Sequence, residues 1–177
     1  MISIFDFMIE GHLFKSTKST DFIVDLSLEP LFNKHKAVIT DDYWDENNSQ
    51  FKGLIDVAFP YFWSCFTPSG DLFGFIFLLD WKSSGTVCDF HIVIEEKYQG
   101  TMVKKLAIKT ACELFNKFNI KRIACTIPCY NRKAIAFASK ILGAKFEGTL
   151  RSFSKKNNKP LDYLVYGLLN SDIKGDN

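Results

Sequence analysis

Residues 88–118 read "CDFHIVIEEKYQGTMVKKLAIKTACELFNKF", and the reading of this stretch decides the fold. Its first seven residues, "CDFHIVI", are rich in β-branched and aromatic side chains and predict a buried strand. From Val103 the period changes. Val103, Leu106, Ala107, Ala111, Leu114, Phe115 and Phe118 fall along one side of a helix, with Lys104, Lys105, Lys109, Glu113, Asn116 and Lys117 mostly on the other. A turn holding a single glycine, Gly100, joins the two. The segment "KRIACTI" (121–127) then predicts another short buried strand. Strand, helix and strand between residues 86 and 127 imply a parallel, right-handed crossover.

Upstream, "YFWSCF" (61–66), the turn "TPSGD" (67–71) and "LFGFIFLLDW" (72–81) predict a hairpin, and "KSSG" (82–85) turns into the strand above. Downstream, Pro128 stops the strand, and "NRKAIAFASKILG" (131–143) predicts a helix capped by Asn131 and ended by Gly143. Two final strands, "AKFEGTLRSF" (144–153) and "LDYLVYGLL" (161–169), flank the polar turn "SKKNNK" (154–159). Nearer the start, residues 2–9 read as a strand or a short helix. Residues 19–35 read as a helix capped by Ser19 or Thr20, with Asp21 in its first turn and Pro30 disturbing it. Residues 40–51 read as an acidic, aromatic loop continuing into a helix toward Val57. The expected fold class is α+β, a mixed α/β sandwich. Its central sheet is mostly antiparallel with one parallel pair, and helices cover both faces. A single domain is expected over 1–177, with a helix-rich part at 1–60, a core at 60–169 and a tail at 170–177.

The composition is 47% hydrophobic and 24% charged over 177 residues, as expected of one globular domain with a proper core. Eighteen phenylalanines predict an aromatic core, with an aromatic contact surface as the alternative. The formal net charge of +2 and the lack of a basic-aromatic stripe argue against nucleic acid. Five cysteines without a CxxC pair predict small buried hydrophobes in a reducing compartment and no metal site. No basic leader and no apolar run of membrane-spanning length is present, so a cytoplasmic protein without membrane attachment is expected.

A helix start after a strand is an anion site by its physics, because its first N–H groups are unsatisfied at the positive end of the helix dipole. The element order and two motifs add a resemblance. The strand–"EEKYQG"–helix unit, and "NRKAIAFASKILGAKFEGTLR" followed by "LDYLVYGLL", resemble the GNAT superfamily, the acetyl-CoA-dependent N-acetyltransferases. The likeness runs from about Leu72 to Leu169 and is nearest the branch of ribosomal-protein N-terminal acetyltransferases.

What the resemblance implies is a pyrophosphate loop at Gln99, Gly100, Thr101, Met102, Val103, Lys104 and Lys105. Met102 and Lys104 stand where the family has small residues. The backbone of Ile92, Val93 and Ile94 would pair with pantetheine, and Asn131 would reach the cofactor. Asp89, His91 and Glu95 are the candidate bases. The family's usual acid is a tyrosine on the second helix. Counting back from Gly143 places Ser139 there and counting forward from Asn131 places Ala138, because the segment is one residue longer than the family's. Tyr130 is the substitute candidate. Cys129 reads as packing.

The implied activity is acetyl transfer from acetyl-CoA, without a metal, to a primary amine on a protein N-terminus, lysine or small amine. The acidic stretch at 41–46 would attract a cationic acceptor. The competing expectation is an inactive relative serving as a binding or assembly protein with a protein partner, in monomer or homodimer form. A Phe- and Lys-rich composition suits an AT-rich genome such as a phage or mobile element.

Overall fold

The computed structural model describes residues 6–21, 23–39, 49–79 and 87–173, with the side chains of residues 25, 26, 36–39, 49, 87, 88, 101 and 102 outside the description. Eight strands form one sheet: β1 (Phe7–Ile9), β2 (His12–Ser16), β3 (Phe62–Phe66), β4 (Leu72–Leu79), β5 (Val87–Ile94), β6 (Arg122–Pro128), β7 (Lys145–Lys156) and β8 (Lys159–Leu169). Their order across the sheet is β1-β2-β3-β4-β5-β6-β8-β7. Among the described residues only the β5–β6 pair is parallel. The crossover between them is helix α3 (Thr101–Lys117), as its periodicity requires. Helices α1 (Glu29–Ile39) and α2 (Ser49–Ala58) precede β3, and α4 (Arg132–Ala136) follows β6.

The two faces of the sheet carry separate cores. Along β3, Phe62 points to one side and Trp63 to the other, as strand geometry dictates, and both are fully buried. On the Phe62 side, α1 and α2 pack Phe32 and Phe51 onto Phe62, Phe75 and Phe77. The rings of Phe62 and Phe75 stack with centroids 5.4 Å apart, and those of Phe32 and Phe51 at 4.4 Å. On the Trp63 side, α3 and the α4 region bury Leu106, Leu114 and Leu142 beside Phe14 and Phe73. The phenylalanine-rich composition therefore fills two aromatic layers, although Phe146 and Phe153 remain more than half exposed on β7.

The local expectations near the start are met in part. Of the two readings of residues 2–9, the strand holds: β2 pairs with β3 to extend the sheet, and β1 pairs with β2 in a hairpin. Its turn, Glu10-Gly11, has both φ values positive (49° and 79°), the conformation of a two-residue hairpin loop. Neither Ser19 nor Thr20 caps the following helix. Asp21 closes a turn instead, its carboxylate accepting the Lys18 N–H at 2.9 Å. Pro30 disturbs the helix, as expected, without ending it. A π-helical turn over Val24–Leu28 hands over to α1 at Glu29, so Pro30 falls where the hydrogen-bond pattern changes and its missing N–H costs least.

Gly74 sits where β4 approaches β5 most closely. A Cβ there would lie 2.3 Å from the Val93 carbonyl oxygen and 2.8 Å from Ile94 Cδ1. Gly74→Ala is expected to lower the unfolding free energy by about 1–3 kcal/mol, read from urea denaturation. An unshifted midpoint would mean that β5 can yield at this point.

Candidate active site

The parallel ladder is short. β5 and β6 pair from Val87↔Arg122 to Asp89↔Ala124 and then separate. Each strand continues with its outer partner: β4 holds β5 as far as Gly74↔Ile94, and β8 holds β6 as far as Pro128↔Tyr163. The right-handed twist of the two halves carries the strand ends apart. Between residues 90–93 and 125–128 this leaves a crevice of about 260 Å³. Phe32 and Leu54 of α1 and α2 line it on one face of the sheet, and Phe137 and Leu142 of the α4 region on the other. The crevice therefore reaches through the sheet from one helical layer to the other.

Its lining is largely apolar, with His91, Thr126, Asn131 and Tyr163 as polar groups. His91 stacks on Phe77, centroids 4.5 Å apart and planes 4° from parallel, on the face covered by α1 and α2. By strand alternation and register, Thr126 and Tyr163 share that face. Tyr163 meets the ring of Phe153 edge-on at 5.3 Å. Asn131 caps α4, its side-chain oxygen accepting the Ala134 N–H at 3.1 Å, while also facing the crevice.

The loop after β5 makes a 3₁₀ turn over Glu96–Tyr98 and reaches α3 at Gly100. Gly100 has φ 156° and takes the cap position with no side-chain cap. The Gly100 carbonyl accepts the Lys104 N–H at 3.2 Å, so the amides of 101–103 are left at the exposed helix start. Apart from its chain neighbours, no described residue comes within 4 Å of where a Gly100 Cβ would stand, so the loop is open beside its backbone. Gln99 is exposed, and its side-chain amide donates to the Ile94 carbonyl at 3.2 Å. Lys104 and Lys105 are exposed on the first turn of α3. The side chains of Thr101 and Met102 lie outside the described residues, as does the acidic stretch 41–46.

The other candidates disperse. Glu95 forms an ion pair with Lys34 of α1, and that hydrogen bond holds its carboxyl below the usual range. Asp89 occupies the last rung of the parallel ladder, outside the crevice lining. Tyr130 lies beneath Lys156, whose Nζ is 5.6 Å from the ring centroid, and does not line the crevice. Ser139 donates its hydroxyl to the Ile135 carbonyl at 2.8 Å, whereas Ala138 lines the crevice. A π-helical turn over Phe137–Leu142 ends at Gly143, left-handed at φ 79°.

The cysteine expectation holds in part. Cys65 and Cys125 are buried, and burial followed by the charge of Asp89 pushes the Cys125 thiol up to about 12. Cys129, expected to be packed, is exposed just beyond the end of β6. Among the described residues no group of three His, Cys, Asp or Glu is placed to hold a metal ion.

Tyr163 was not among the sequence candidates. "LDYLVYGLL" announced a strand, but only the β6–β8 register shows which of its tyrosines reaches the crevice: Tyr163, opposite Pro128, while Tyr166 is buried on the α3 face.

A mostly antiparallel sheet with one parallel, diverging strand pair is the fold of the GNAT acetyltransferases, and solved structures bear this out. The ribosomal-protein-S5-alanine acetyltransferase from Vibrio fischeri matches with TM-score 0.71 at 14% identity, covering 96% of this chain and 98% of that one. A variant of the spermidine N-acetyltransferase SpeG from Vibrio cholerae matches with TM-score 0.72 at 17% identity, covering 92% and 96% respectively. No protein-family model and no curated protein matches the sequence. At these identities the likeness establishes the fold.

Proposed function

We propose that this protein is an acetyl-CoA-dependent N-acetyltransferase that acylates a primary amine in the β5–β6 crevice. The observation that carries the reading is the passage of that crevice through the sheet, which lets a coenzyme and an amine approach one point from opposite helical layers. The acetyltransferase names of the structural neighbours support it.

The residues present fit the coenzyme. The amides of α3's first turn and the open backbone at Gly100 suit a pyrophosphate, with Lys104 and Lys105 adding positive charge. The β5 edge at Ile92, Val93 and Ile94, beyond the last β5–β6 rung, and Asn131 suit the pantetheine arm. When bound, the coenzyme supplies an acetyl group already activated as a thioester. His91 takes the proton that the amine nitrogen loses as its bond to the acetyl carbon forms. Tyr163, rather than Ser139 or Tyr130, gives its phenolic proton to sulfur as the carbon–sulfur bond breaks, and regains one from solvent.

Calorimetric titration with acetyl-CoA, with CoA and an unrelated nucleotide as controls, tests the reading. Micromolar affinity, about −8 kcal/mol, is expected for acetyl-CoA and not for the unrelated nucleotide. No heat and no thermal stabilisation at millimolar acetyl-CoA would sink it. Gly100→Val is expected to weaken acetyl-CoA at least about tenfold, because valine does not adopt φ 156° and its branches would stand beside the exposed amides. Equal affinity in the two proteins would remove the loop from the site.

One observation favours a second reading, a GNAT-fold binding protein without catalysis. Of Ala138 and Ser139, only Ala138 lines the crevice, and the Ser139 hydroxyl is committed to the helix. Acetyl-CoA binding without acetyl transfer to any amine would select it.

A further inference from the structure

The β7–β8 hairpin continues past the rest of the sheet. The last β6–β8 pair is Pro128↔Tyr163, yet β7 and β8 remain paired out to Lys156↔Lys159. At the tip, Asn157 and Asn158 have φ values of 54° and 59°, the turn geometry that matches strand twist in a two-residue hairpin. The projecting part is thus a built hairpin standing beyond the end of β6, where the crevice opens.

β7 is bulged within it. Four residue steps from Leu150 to Ser154 lie opposite two steps of β8, from Tyr163 to Leu161. Ser152 takes a left-handed φ of 51°, and its N–H donates to Asp162 Oδ1 at 2.7 Å. Bulges re-aim side chains, and this one lays Phe153, 58% exposed, against the ring of Tyr163 at the crevice.

The charge of this projection is one-sided. Residues 150–161 contain Arg151, Lys155, Lys156 and Lys159 and no carboxylate. Arg151, Lys155 and Lys159 are exposed, and Lys156 lies over Tyr130. The nearest acid in sequence, Asp162, is turned onto the Ser152 backbone. Several lysines and arginines elsewhere stand beside acids, as in Lys109–Glu10, Arg122–Glu147 and Lys145–Asp172. A chain with a net charge of only +2 has therefore gathered four cations around two exposed aromatic rings at the mouth of its crevice.

We propose that the distal β7–β8 hairpin is a docking ledge for an acidic polypeptide segment, so that the acceptor amine belongs to a chain carrying carboxylates close to it. This deepens the acetyltransferase reading and rests on it for the role of the amine. Cations spaced along a rigid hairpin attract and orient an acidic segment, and Phe153 and Tyr130 offer apolar contact between the charges.

The test is fluorescence anisotropy on the intact protein with three hexapeptides. Each has a free amino terminus and a fluorophore at its C-terminus, with three acidic, three neutral or three basic residues after the first. The acidic peptide is expected to bind about tenfold tighter than the neutral one, with the difference shrinking as salt rises. Lys155→Gln/Lys159→Gln should erase the preference and Lys155→Glu/Lys159→Glu should reverse it. Both pairs are exposed, and an unchanged circular dichroism spectrum confirms folding. Equal binding of the three peptides, a preference for the basic one, or a preference that survives both double variants would overturn the ledge. So would tighter binding of oligothymidylate that displaces the acidic peptide. The assay needs neither coenzyme nor turnover. A failed acetyl-CoA titration with a positive peptide result therefore defeats the transferase reading alone, and the converse defeats the ledge alone.

Discussion

Replacement of Phe51 by alanine is expected to lower the unfolding free energy by about 3–5 kcal/mol, a large share of the roughly 5–15 kcal/mol that holds a domain of this size together. The ring is fully buried. It stacks on Phe32 of α1 at 4.4 Å and meets Phe62 and Phe75 of the sheet at 6.1 and 5.6 Å, so one side chain joins two helices and two strands. Truncation leaves a hole that three fixed rings cannot close, and the lost contacts add to the lost burial. Urea denaturation with an unchanged slope and a lower midpoint would confirm it. A loss below about 1 kcal/mol would show that α1 and α2 are held by something other than this cluster. Because Phe32 and Leu54 line the crevice from those same helices, the variant should also raise KM for the acceptor more than it weakens acetyl-CoA.

The second large effect is on turnover. His91→Ala is expected to reduce kcat by about 10²- to 10⁴-fold, the usual contribution of a positioned proton acceptor, with acetyl-CoA affinity little changed. The imidazole is held flat against Phe77 on the face covered by α1 and α2, so its orientation is set by packing. His91→Gln keeps a polar side chain of similar reach but not a base of suitable strength. Both variants should therefore lose turnover. A full rate in either variant would assign the proton to another group.

The strands and helices that build the crevice were legible because their periods are clean. The apolar stripe from Val103 to Phe118 emerged as α3, and the asparagine and glycine bracketing residues 131–143 emerged as cap and left-handed terminus. The N-terminal hairpin was not, since strands of three and five residues are too short to establish a two-residue period. Its turn carries glutamate where asparagine or aspartate would have signalled the geometry. Site candidates suffered from a different ambiguity. Alternation puts Glu95 on the face of His91, but the neighbouring α1 supplies Lys34 to occupy it. Ser139 and Ala138 could not be ordered by counting, because a π-helical turn changes which side chain a helix presents without leaving a mark in composition.

Sequence alone determined the parallel crossover in an otherwise antiparallel sheet, since a strand, a long amphipathic helix and a strand can be joined in few ways. It also determined the glycine at the start of α3 and the run of four cations without a carboxylate at 150–161. Only the tertiary structure decided that the parallel pair parts after Asp89↔Ala124 and that His91 and Tyr163 face the opening from different strands. It alone placed the cationic run at the mouth of that opening. The physical reason is that a strand's sequence specifies which residues share a face, whereas the partners on either side specify register and separation. β4 and β8 draw β5 and β6 apart from outside, and no segment of the chain encodes that by itself.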